Sequence, residues 1–71
     1  MRVKESVLLG LKLARKEKRV LVVGREGKRW ILLPLDDPGS DQLHDSIIVT
    51  PEGLRYPEDE ERLAHLAAEG W

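Results

Sequence analysis

Seventy-one residues carry 12 Lys and Arg against 13 Asp and Glu, with no cysteine, four prolines and six glycines. That length permits a single domain, residues 1–71, and a chain so short buries only about 60% of its unfolded surface. Lack of cysteine excludes disulfides, thiolate zinc sites and thiol nucleophiles, which leaves good packing or self-association to stabilise the fold.

With 21 Leu, Ile and Val residues the chain is too apolar to be disordered. Its net charge of −1 hides a split: residues 1–35 carry 10 basic and 3 acidic side chains (+7), and residues 36–71 carry 2 basic and 10 acidic ones (−8). Such asymmetry points to nucleic-acid contact through the basic half, or to pairing of complementary halves within or between chains. Two independently solvated halves are the plainer alternative. No apolar run reaches the length of a membrane span. Lys12 and the charges of Arg15 to Arg19 interrupt the run from Val7 to Leu11 where a signal peptide would place its cleavage site. A cytoplasmic protein is expected. The absence of Asn, a single Gln and a single Met, beside plentiful Glu and Arg, fit a thermophilic source.

In chain order, residues 3–18 come first. Val3, Val7, Leu11 and Ala14 recur as one face of a helix, with Leu8, Leu9 and Leu13 on other sides and Gly10 opposing helix by roughly 1 kcal/mol. The rival is a strand with Val7, Leu9, Leu11 and Leu13 on one face. Arg19 to Gly24 and Arg29 to Leu35 are apolar, β-branched-rich runs flanking Arg25-Glu26-Gly27-Lys28, which reads as an antiparallel hairpin with positive φ at Gly27. A Glu26-Gly27 loop would set Val23 opposite Trp30 and Leu21 opposite Leu32. Pro34 belongs on an unpaired side or at the strand end. Asp36 to Asp45 is a loop, and Ser46 to Thr50 is a third strand. Thr50-Pro51-Glu52-Gly53 has the composition of a type I turn, after which Leu54 to Tyr56 form a short edge strand. Pro57 opens a helix whose first turn holds Glu58, Asp59, Glu60 and Glu61, and whose apolar stripe holds Leu63, Leu66 and Ala67. Gly70 at C′ predicts a Schellman close that packs Trp71 on Leu66. The fold class is therefore α+β: a three- to four-stranded, mainly antiparallel sheet with an N-terminal and a C-terminal helix, the sheet order left open.

Val20–Val23, Trp30–Leu33 and Ile47–Val49 are apolar on both sides of the strand, so both sheet faces need cover. One helix on each face would supply some of it. The C-terminal helix has a thin stripe, and a second copy of the chain is the expected cover for the rest. A homodimer follows, with Trp30, Leu63, Leu66 and Trp71 as its apolar interface residues.

Chemistry-bearing groups are sparse. Asp36, Asp37, Asp41, His44 and Asp45 cluster, but match neither the calcium-loop nor the His-Glu zinc spacing. Turn capping by the Asp side chains is the expected use, and no metal or cofactor is expected. His65 falls on the flank or wet face of its helix. Ser6, Ser40 and Ser46 lack a nucleophile elbow, and Gly24, Gly27 and Lys28 lack the P-loop spacing. No enzyme is expected. The basic residues offer more. Arg15, Lys16, Lys18 and Arg19 lie at the helix–strand junction and Arg25, Lys28 and Arg29 around the hairpin turn, roughly 15–20 Å away at the other end of the first strand. Two such clusters suit phosphates on a duplex, or the acidic helix of a partner chain. With only Trp30 offered for stacking, single-strand recognition is poorly served.

Arg19 to Leu35 (RVLVVGREGKRWILLPL) resembles the central hairpin of Phd/YefM-type antitoxins: an apolar strand, a charged glycine turn and a second apolar strand ending near Pro, after a short helix. The likeness covers 17 of 71 residues. The preceding segment is shorter than that family's opening, and a strand follows where the family continues into helices. The resemblance implies a homodimer that binds operator DNA and a toxin. The helix-then-strands order is also similar to Sm-like RNA-binding folds, whose Asp-x-x-x-Asn is not supplied by Asp36 to Asp41. The sequence thus predicts a small, non-catalytic, homodimeric interaction or regulatory module, with nucleic acid as a candidate ligand of its basic half. The alternative is a protein-partner module, antitoxin-like or an accessory subunit, docking through its apolar sheet face and C-terminal helix.

Overall fold

Of the two conformations open to the N-terminal segment, the chain takes the helix. In the computed structural model, which describes residues 1–71, α1 spans Val3–Glu17. Its buried stripe is Val3, Ser6, Val7, Gly10 and Ala14, the spacing by which a helix lays one side on a core. Leu11, expected on that stripe, sits half-buried beside it. The residue that weakens the helix locally is the one the packing requires. A Cβ on Gly10 would lie 2.9 Å from Leu32 Cδ2, 3.1 Å from Val23 Cγ2 and 3.2 Å from Val49 Cγ2, so the missing side chain lets the helix rest on three strands at once. The helix ends at Lys18, whose backbone turns left-handed (φ 52°, ψ 50°) and whose N–H donates to Ala14 O.

β1 (Leu21–Glu26) and β2 (Arg29–Pro34) form the expected hairpin, and Gly27 has φ +64°. The register differs from expectation by two residues. The loop is Gly27-Lys28, Glu26 pairs with Arg29, and Val23 faces Leu32 while Trp30 faces Arg25. Glycine in the first loop position suits a primed turn. This register also opposes Glu26 to Arg29, whereas a Glu26-Gly27 loop would have set Arg25 against Lys28. Leu35 N–H donates to Val20 O, which makes the adjoining Leu21–Pro34 pair a non-hydrogen-bonded one. Pro34 therefore turns its nitrogen to the free edge, where no donor is needed.

β3 (His44–Thr50) pairs antiparallel with β1, and β4 (Gly53–Leu54) pairs with β3, giving the order β2-β1-β3-β4. The ladder between β1 and β3 slips one residue at Gly24, with Asp45 left-handed at φ 53°, as a bulge requires. β4 is shorter than expected, and the loop expected over residues 36–45 contains a 3-10 turn, Pro38–Gln42, before β3 begins.

α2 (Glu58–Ala68) closes as its sequence predicts. Gly70 has φ +92°, Trp71 N–H donates to Leu66 O at 3.1 Å, and Gly70 N–H to Ala67 O at 3.1 Å, the two bonds of a Schellman motif. Pro57 stands one position earlier than expected, as N-cap, with its backbone already helical. Both helices pack on the same side of the sheet, in one core built on Val3, Val7, Val23, Ile47 and Val49. Placing one helix on each face was incorrect. Leu11 and Leu13 of α1 and Leu63 and Leu66 of α2 all pack against that one core, so pairing the helices side by side buries both stripes at once. The opposite face is covered by the short segment around the 3-10 turn. Leu43 lies directly on Gly24 and Gly39 approaches Leu33. Asp37 caps this turn, accepting from Gly39 N–H at 2.8 Å, and Ser40 Oγ donates to Leu35 O.

Candidate interaction surfaces

The seven basic residues at the two ends of β1 fall into two groups. Three are engaged within the chain. Arg15 donates through Nε to Pro51 O, tying α1 to the β3–β4 turn. Arg19 pairs with Glu17 at 3.3 Å, an exposed contact of little energetic consequence. Arg25 is held on all sides: Nε lies 3.1 Å from Asp45 Oδ2, Nη1 donates to Gly27 O, and the guanidinium carbon sits 4.3 Å from the Trp71 ring centre. Its place on the helix side of the sheet, after Leu21 and Val23, and the bulge at Asp45 bring these groups together. The remaining four, Lys16, Lys18, Lys28 and Arg29, are exposed and belong to none of the three ion pairs of the chain.

The four apolar interface candidates all pack inward to some degree. Trp30 is 5% exposed within the core, with its Nε1 lacking a partner. Leu63, Leu66 and Trp71 pack against that core. The Trp71 carbonyl also accepts from Val3 N–H at 2.8 Å, which staples the end of α2 to the start of α1. Of the four, Leu63 also faces a surface groove.

That groove was not foreseen from the sequence. It has a volume of about 390 Å³ and runs between α1 and α2 with β4 at its floor, lined by Lys4, Val7, Leu8, Leu11, Gly53, Leu54, Glu60 and Leu63. α1 supplies Lys4, Leu8 and Leu11 at i, i+4 and i+7 on the flank next to its buried stripe. Leu8 rises from the rim, 67% exposed. The readable signal was a leucine outside a helix stripe already satisfied by Val3, Val7 and Ala14. Lys4 and Glu60 bring opposite charges to the two walls, and neither takes part in an ion pair.

The acidic loop is divided among structural tasks. Asp37 caps the 3-10 turn and Asp45 holds Arg25, while no three His, Asp or Glu side chains stand together as metal ligands. Asp59, buried near the start of α2, pairs with Arg62 at 3.0 Å, and Arg62 reaches on to Ser46 O of β3. No helix is long and apolar enough to cross a membrane. No family model, curated protein or solved structure matches the chain.

Proposed function

We propose that this protein is a small, non-catalytic, cytoplasmic interaction module that works as a homodimer. What supports the reading is the apolar groove left between the two helices on their side of the sheet. It is open to water and lined by Val7, Leu8, Leu11, Leu54 and Leu63, and Leu8 stands 67% exposed at its rim. An apolar groove with a projecting leucine at its edge fits a contact with another protein. The test is absolute mass by light scattering across a concentration series at low and high salt. The expected mass is about 16 kDa, twice the 8.1 kDa chain, at both salts. A mass of 8.1 kDa throughout contradicts it.

A second reading, contact with nucleic acid, is favoured by one observation: Lys16 and Lys18 at one end of β1 and Lys28 and Arg29 at the other are free of intramolecular ion pairs. Neutralising about four phosphates gives a slope near −3.6 in log affinity against log salt for a duplex. Fluorescence anisotropy of a labelled duplex measures it. Lys28→Glu with Arg29→Glu should abolish the binding. Binding that survives this double change at moderate salt contradicts the assignment to the turn.

A further inference from the structure

We infer that the α1–α2 groove is the seam of the homodimer, occupied by Leu8 of a second copy related by a two-fold axis. The inference rests on the homodimer reading above and assigns it a surface. An isologous interface must be complementary to itself, carrying both the projecting group and the hollow that receives it. Leu8 and the groove floor of Leu11, Leu54 and Leu63 adjoin one another, so a two-fold axis beside them sends each Leu8 into the other copy's hollow.

Charge selects the same partner. Over Val3–Glu17, α1 carries four basic and two acidic side chains (+2), whereas over Glu58–Ala68 α2 carries four acidic and one basic (−3). A two-fold axis along the groove lays α1 of each copy against α2 of the other, so cationic helix meets anionic helix twice. At the walls, α1 contributes Lys4 and α2 contributes Glu60, charges of the sign that the facing helix of the other copy complements. Complementary charge of this kind fixes the register of docking and discriminates against wrong partners. A specific interface needs about 500 Å² or more from each partner, which is about a tenth of the 4856 Å² surface of this chain.

Sedimentation equilibrium of the full chain and its variants tests the seam. The wild-type chain is expected near 16 kDa, twice 8.1 kDa, and Leu8→Glu near 8.1 kDa, with the helical circular dichroism unchanged because Leu8 is exposed. Lys4→Glu and Glu60→Lys, which each lower the charge contrast between the two helices, should each raise the dimer dissociation constant about tenfold or more. A raised dissociation constant with unchanged circular dichroism separates a contact at the seam from damage to the fold. A Leu8→Glu chain that stays dimeric while the wild type is dimeric overturns this seam and leaves the homodimer standing. A wild-type chain that is monomeric at every concentration overturns both.

Discussion

The two faces of the sheet are closed by different means, and a glycine sits at the tightest point of each. On one face the cover is two helices, and the glycine, Gly10, belongs to the covering element. On the other it is a short segment ending at Leu43, and the glycine, Gly24, belongs to the sheet. A Cβ on Gly10 would meet the ends of Leu32, Val23 and Val49 at 2.9–3.2 Å, whereas one on Gly24 would meet Leu43 Cβ at 2.5 Å. The first crowding involves side-chain termini that can yield by a few tenths of an ångström. The second involves an atom fixed to the backbone, so the segment itself must move. A helix carries a long stripe and tolerates local adjustment; a short segment has one main anchor and does not.

Ile47 and Ile48 expose this difference most directly, because they are adjacent on β3 and point to opposite faces. Ile47 is fully buried under the helices, and Ile48 is partly exposed on the other side. Ile47→Ala should cost about 3–4 kcal/mol in urea unfolding and Ile48→Ala about 1–2, the gap following the depth of burial. Equal losses would mean that the short segment covers its face as fully as the helices cover theirs. Gly24→Ala should follow at about 2–3 kcal/mol, through overpacking against Leu43. Gly10→Ala should cost less, about 1 kcal/mol, since its crowding is partly offset by the helix propensity alanine adds. A Gly10 loss larger than the Gly24 loss would reverse the assignment of the rigid neighbour. The smallest effect should come from Asp37→Ala, which removes the cap of the 3-10 turn for about 0.5 kcal/mol, with faster amide exchange confined to residues 37–43.

What was legible in the sequence was what local chemistry determines. The Schellman close at Gly70 and Trp71, the glycine of the hairpin turn and the outward-facing Pro34 all follow from single residues with exceptional backbones, glycine because it alone takes positive φ freely and proline because it has no N–H to donate. The hairpin register was misread by two residues for a definite reason. A shift of two preserves which side chains face the core, since Val23 lies across from an apolar neighbour whether that neighbour is Trp30 or Leu32, so the apolar pattern alone does not resolve it. The sign of the charges set opposite one another does, since this register opposes Glu26 to Arg29 where the other would oppose Arg25 to Lys28. The side of the sheet taken by each helix was not legible, because it depends on contacts between residues far apart in the chain. The same holds for Arg25, which a sequence offers as a free cation and the bulge at Asp45 draws into an ion pair beneath Trp71. The groove followed from the helix placement and was hidden with it.

The contrast between faces also locates the central claim. If the chain associates through the α1–α2 groove, the helix side carries the contact and the opposite face, with Ile31, Leu33 and Ile48, stays out of it. Methyl carbon–proton NMR spectra recorded over a dilution series read both sides at once. The account predicts concentration-dependent shifts in the methyl signals of Leu8, Leu11, Leu54 and Leu63, with those of Ile31, Leu33 and Ile48 unmoved. Shifts confined to Ile31, Leu33 and Ile48, or no shift in any of these signals over a dilution range in which the mass falls from twice 8.1 kDa to 8.1 kDa, would contradict it.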